Sequence, residues 1–216
     1  MLWLFLSNNK FADLPESIVR LNKLNQLDLQ YNKLSRIPES ICNLTELKTL
    51  DLKYNKISSI PKSICSLVKL VKLDIEENLL SELPECIGNL IQLTELNLGS
   101  NKLFELPESI GSLTQLTQFL LTANQLTKLP ESICNLTKLT KLNLSFNKLS
   151  ELPNSIGNLT DLKHLNLYHN QLSELPESIN RLTHITELLL KCNKFTKLPE
   201  SIAKLSRYNF IEVLEE

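Results

Sequence analysis

The 216 residues include only four glycines, one methionine and one tryptophan, and 6% are aromatic. The sequence contains no glycine-rich loop of the kind that cradles phosphates. No apolar run approaches the ~20 residues a membrane-spanning helix needs, so no membrane partner is expected. A formal net charge of −1 lacks the polybasic footprint by which proteins hold nucleic acid or anionic lipid. Five cysteines are an odd number, and their spacings match no zinc motif. They read as reduced, inert thiols. Cys42, Cys65 and Cys134 share a column of mostly small residues, and Cys42–Cys65 is the one adjacent pair that leaves a disulfide open.

What the chain has in excess is leucine, 50 residues of 216. All nine prolines, Pro15, Pro38, Pro61, Pro84, Pro107, Pro130, Pro153, Pro176 and Pro199, are 23 residues apart. Nine asparagines from Asn9 to Asn193 keep the same step. The unit reads LxxLxxLxLxxNxLxxLPxSIxx. It runs without insertion over residues 1–216, which implies a single domain of about nine repeats, cut short at both ends.

Within a unit, Gln26-Leu27-Asp28-Leu29-Gln30 alternates as a strand with one buried face. Leu24, Leu34, Ile37 and Ile41 point the other turns of the coil inward. One unit cannot bury these groups alone, whereas stacked units form a continuous apolar column, with parallel strands about 4.8 Å apart. The recurrent asparagine both donates and accepts, which suits a place where the strand turns away. Proline followed by an acid, as in Pro38-Glu39 and Pro107-Glu108, fits the first turn of a short helix or 3₁₀ segment. The expected class is α/β: a right-handed solenoid with a parallel sheet on its concave face and short helical or 3₁₀ segments on its convex face.

The LxxLxLxxNxL half of the unit resembles the leucine-rich repeat signature. With its LPxSI half, the 23-residue unit is similar to the animal Ras-binding scaffolds, the plant intracellular Ras-group repeat proteins and secreted repeat proteins of pathogenic bacteria. This resemblance implies the same solenoid and a protein-binding role, including that of a bacterial effector. It rests on framework residues, so function must lie in the variable positions.

The outward strand positions, taken as columns, give two clusters. Toward the N-terminus Asp28, Asp51 and Asp74 stack with Tyr31 and Tyr54, with Glu76 and Glu77 beside them. Like charges on adjacent strands repel. Either a basic ligand relieves that repulsion, or Lys53 and Lys72 already neutralise it. Toward the C-terminus Phe146, His164, Tyr168 and His169 converge on successive rungs, as a second contact area or as solvated rings. No ligand spacing supports a metal at His164, His169 and Glu187, and no cofactor is expected. Catalysis finds no constellation. The expected function is non-enzymatic recognition of a protein on the concave face; the alternative is the substrate-recruiting portion of a larger enzyme such as a ubiquitin ligase or kinase.

The opening MLWLFLSNNK has no basic flank, and Leu4, Leu6 and Asn9 are in register with Leu27, Leu29 and Asn32, so it reads as a first strand rather than a signal peptide. The Asn-x-Ser/Thr triplets at Asn43, Asn135, Asn143 and Asn158 then read as by-products of the repeat, and the location as cytoplasmic or reached by delivery into a host cell. The strand Trp3-Leu4-Phe5-Leu6 is apolar on both faces, and Phe210 and Leu214 fall on the outward face at the far end, where Glu212, Glu215 and Glu216 blunt the edge. A fragment of a longer array and self-association both account for such ends. A homodimer through the N-terminal edge strand, centred on Trp3 and Phe5, is favoured.

Overall fold

The computed structural model describes residues 2–197, 200–203 and 210–212. Ten parallel strands form one sheet in sequence order: β1 Leu2–Phe5, β2 Leu24–Asp28, β3 Thr49–Asp51, β4 Lys72–Asp74, β5 Glu95–Asn97, β6 Gln118–Leu120, β7 Lys141–Asn143, β8 His164–Asn166, β9 Glu187–Leu189 and β10 Phe210–Glu212. Each internal rung repeats its register, so Leu27 faces Leu50, Leu50 faces Leu73 and Asp51 faces Asp74. The strands line the concave face. The chain returns through short 3₁₀ turns such as Glu39–Asn43, Lys62–Ser66, Glu85–Asn89 and Glu108–Ser112. A four-residue helix, α1 Glu200–Ala203, follows Glu177–Arg181. The solenoid expected from the repeat is the observed fold; Leu214, Glu215 and Glu216 lie outside the described residues.

The core is a stack of side chains rather than a globule's interior. Leu24, Leu34 and Ile41 are fully buried, as are their counterparts from Leu47 to Ile179, while Phe11 and Phe195 at the two ends of the Leu34 column are not, and Phe119 fills a leucine position in β6 with no exposed surface. The proline sits one residue earlier than expected. Pro38 is extended (φ −67°, ψ 147°) and lies just before the 3₁₀ turn, where its carbonyl accepts the Ile41 N–H at 3.0 Å. Its missing N–H costs nothing there, and the turn gains a rigid entry.

The recurrent asparagine holds two rungs together. Asn101 Nδ2 donates to the carbonyls of Leu98 (3.1 Å), Gly99 (3.0 Å) and, one rung back, Ile75 (2.9 Å), while its Oδ1 accepts the Leu80 N–H at 2.9 Å. Asn32, Asn55, Asn78, Asn124, Asn147, Asn170 and Asn193 repeat this pattern. The residue before each takes a left-handed conformation, with φ between 50° and 58° from Asn8 to Cys192 and never a glycine. That turn breaks the strand's alternation: Tyr31 swings out to solvent and Asn32 goes inside.

The expectation for the thiols is corrected. Cys65 and Cys86 form a disulfide, with Cα atoms 5.8 Å apart, while Cys42, Cys134 and Cys192 are free. Residues in one column lie 23 apart on successive rungs, but facing side chains lie 21 apart. A methyl built on Gly88 or Gly157 would stand 3.0 Å from the Cβ of Ser109 or Ser178. Cys86 occupies that serine position opposite Cys65, whereas Cys42 and Cys134 face Ser63 and Ser155 by the same step. The small-residue column is therefore a real close approach, and burial pushes the Cys134 thiol up to about 12. Unfolded without reductant, the protein is expected to titrate three thiols, and five after reduction; five without reduction would refute the Cys65–Cys86 bond.

Candidate functional site on the concave face

The aspartate column does local work before it does anything else. Asp28, Asp51 and Asp74 each accept the backbone N–H two residues on through Oδ1, at 3.0, 3.1 and 3.1 Å. Asn97, Asn143 and Asn166 make the same bond at 3.1, 3.0 and 2.9 Å in their own rungs. At these rungs the strand end uses an acceptor oxygen and the charge is an addition, while Leu120 and Leu189 hold the same column in β6 and β9 without one. The interchange of Asp and Asn down one column was the sequence signal for this.

Three carboxylates on successive rungs repel one another, with Asp28 and Asp74 buried and Asp51 half-buried. Burial raises Asp51 above the ordinary 3.8, the Lys53 N–H offsets part of this, and the charges of Asp74 and Asp28 add to the rise. Burial likewise raises Asp74, opposed by the Glu76 N–H and by Asn97. Neutralisation by Lys53 and Lys72, one of the two alternatives, is present in part: both lysines pair with glutamates, and the charge of Lys53 also lowers Asp51 and Asp74. Lys53 pairs with Glu76, and Lys72 Nζ lies 2.9 Å from Glu95 Oε2.

Tyr31 and Tyr54, both at left-handed positions, stack with ring centroids 4.3 Å apart and planes 9° apart, and remain 45% and 37% exposed. The side-chain hydrogen bond with Tyr31 raises the Tyr54 phenol. Lys53 Nζ lies 5.6 Å from the Tyr54 centroid, within cation–π range.

The second cluster is smaller than expected. Phe146 stacks on His169 (5.0 Å between centroids) and meets the Tyr168 edge at 5.1 Å. His164 belongs to a different column, where Nδ1 lies 3.3 Å from Glu187 Oε2 on the next rung. The structure thus joins Phe146, Tyr168 and His169 and sets His164 apart. Among the described residues no group of three or more His, Cys, Asp or Glu is arranged to hold a metal. At the far edge Trp3 and Phe5 are 57% and 56% exposed, with their rings edge to face at 6.4 Å.

A family model described as leucine-rich repeat region matches residues 15–102 and 85–169, and a second, for a single leucine-rich repeat, matches residues 161–182. The chain belongs to the leucine-rich repeat family. The leucine-rich repeat domain of the type III effector XopL is 30% identical, with a TM-score of 0.87, over 98% of this chain and 75% of its own. An internalin (InlF) of Listeria monocytogenes is 29% identical, with a TM-score of 0.86, over 100% of this chain and 62% of its own. The plant peptide hormone receptor RGFR1, solved in complex with RGF2, is 29% identical, with a TM-score of 0.80, over 97% of this chain and 39% of its own. The chain therefore spans less than two thirds of the internalin and of the receptor. No curated protein matches it. Repeats of this kind form interaction scaffolds, and a protein partner is the general expectation for them.

The pH response of the acidic column follows from the raised carboxyls. A carboxyl whose folded pKa is raised binds its proton more readily in the folded chain, so stability falls as pH rises through that range and is regained on acidification toward 3.8. The Asp51→Asn, Asp74→Asn variant should keep the fold and lose that part of the acid gain, measured by urea unfolding between neutral and mildly acid pH. Asp51→Ala, which deletes the acceptor, should instead cost about 1 kcal/mol.

Proposed function

We propose that this chain is a non-enzymatic recognition module that holds a protein partner on its concave face. The observation that carries this reading is the pair of solvent-facing aromatic groups on one sheet, Tyr31 with Tyr54 and Phe146 with Tyr168 and His169. Exposed aromatic rings are enriched among interface anchors. They have a rigid backbone beneath them, so little ordering is needed on binding. Likeness to a type III effector's repeat domain and to an internalin supports a host-directed role, and the plant receptor solved with its ligand supports a protein or peptide partner. Nucleic acid and membrane are not among the proposed partners; among the described residues no helix is long and apolar enough to cross a membrane. Action in the cytoplasm, or after delivery into a host cell, would place Cys65 and Cys86 in a reducing pool, so trapping their thiols at lysis reports the compartment.

A photo-crosslinker placed at Tyr54 or Tyr168 should capture the partner, whereas one at the exposed Ser112, in the 3₁₀ turn Glu108–Ser112, should not. Tyr54→Ala with Tyr168→Ala should cost about 2 kcal/mol or more of binding; wild-type affinity would overturn the concave-face reading. A second contact is proposed for this polypeptide, a two-fold dimer through the exposed Trp3 and Phe5 of β1. Light scattering should show it in the wild type and lose it in Trp3→Lys, Phe5→Lys. A wild type that is monomeric at high micromolar concentration rejects it.

A further inference from the structure

The charge on the concave face narrows the partner's chemistry. The outward positions of β2–β5 and of the turns after them carry six carboxylates, Asp28, Asp51, Asp74, Glu76, Glu77 and Glu95, against Lys53 and Lys72. The same positions along β6–β9 carry Glu187 against Lys141 and Lys191. A net charge of −1 for the whole chain therefore conceals a strongly acidic half-face.

That half-face is acidic in effect as well as in count. Both of its lysines pair with glutamates on the next rung and also act on the aspartates, which leaves six carboxylates against two cations. Asp28 Oδ2 accepts from Gln30 Nε2 and Asp74 Oδ2 from Asn97 Nδ2, each at 3.2 Å, and both donors are neutral. Among the described residues no side chain donates to Asp51 Oδ2, the central member of the column. Beside this column lies the stacked, solvent-facing pair of Tyr31 and Tyr54.

Building on the concave-face reading above, we propose that this half-face binds an extended, arginine-containing protein segment laid over the ends of β2–β4. A guanidinium sits at Asp51 and Asp74, and an apolar or aromatic side chain lies against the Tyr31–Tyr54 stack. Arginine suits the site better than lysine. Its planar fork matches carboxylates, it stacks on rings, and it is the more weakly hydrated cation. An extended segment places alternate side chains on one side, about 6.7 Å apart, so one strand-like stretch reaches both the aspartate and the tyrosine columns.

The probe is a random dodecapeptide library displayed on phage and panned on the intact 216-residue protein. Selected peptides should be enriched in arginine and carry a ring or aliphatic residue nearby. They should bind Asp51→Asn, Asp74→Asn at least about tenfold more weakly than wild type and bind Lys141→Gln unchanged. Asparagine already holds the strand-end bond in β5, β7 and β8, so the neutralised variant keeps its fold. Neutral or acidic peptides that are lost with Tyr31→Ala, Tyr54→Ala but not with the neutralised variant would overturn the arginine inference and leave the concave-face reading standing. Peptides indifferent to every concave substitution, or no enrichment at all, would overturn both.

Discussion

One asparagine side chain per coil supports the concave face. Its amide satisfies carbonyls on two successive rungs and its oxygen accepts an N–H from the earlier one, as the four bonds of Asn101 show. A buried backbone group left without a partner costs about 1–3 kcal/mol, so these bonds outweigh the ~1–2 kcal/mol that a left-handed residue costs just before each asparagine. The residues held left-handed include tyrosine, glutamate, alanine, phenylalanine, histidine and cysteine. No common side-chain property unites them, so the ladder imposes the conformation. With the strand's alternation broken there, the side chains of Tyr31, Tyr54, Phe146 and His169 face solvent rather than the leucine column. The candidate contact rings are exposed because the asparagines are buried.

The aspartate column shows how such a framework admits variation. At six rungs it supplies one acceptor oxygen, which Asp and Asn provide alike, so the charge at those rungs can change without changing the coil. Three successive aspartates are the less stable choice: burial and mutual repulsion raise Asp51, and burial raises Asp74. Local cost at a surface that the fold does not require is a pattern of binding sites, where stability yields to function.

Period, strand, core and asparagine ladder were all legible in the sequence because each is a statement about one column repeated 23 residues apart. What was not legible is which neighbour a side chain takes, across columns or within one. Cys65 meets Cys86 through an offset of 21, which appears only when the return path of the coil is known. Lys53 and Lys72 were one of two ways to relieve the acids; each takes the glutamate 23 residues on in its own column and also feels the charge of Asp74. His164 shares a rung with Tyr168 and His169, yet it turns to Glu187, the next member of its own column. The grouping of Tyr31 with Tyr54, by contrast, was visible, because one column places them on adjacent rungs.

The disulfide has a consequence for the same face. Its cysteines lie in the 3₁₀ turns Lys62–Ser66 and Glu85–Asn89, which follow β3 and β4, the strands that carry Asp51 and Asp74. In a solenoid each repeat touches only its neighbours, so a link between two adjacent coils acts on that interface and leaves distant ones unchanged. Closing a loop of this length is worth about 3 kcal/mol in the chain-entropy account. The bond thus opposes separation of the two rungs on which burial and like charge raise the carboxyls, from the side opposite the carboxylates. A rigid spacing there lowers the ordering cost of any ligand that bridges Asp51 and Asp74. Reduction would leave that spacing to the β3–β4 ladder, with Leu52 N–H on the Asp74 carbonyl at 2.8 Å, and to Asn78, whose amide spans the same two coils at Leu52 (2.9 Å) and Ile75 (3.2 Å).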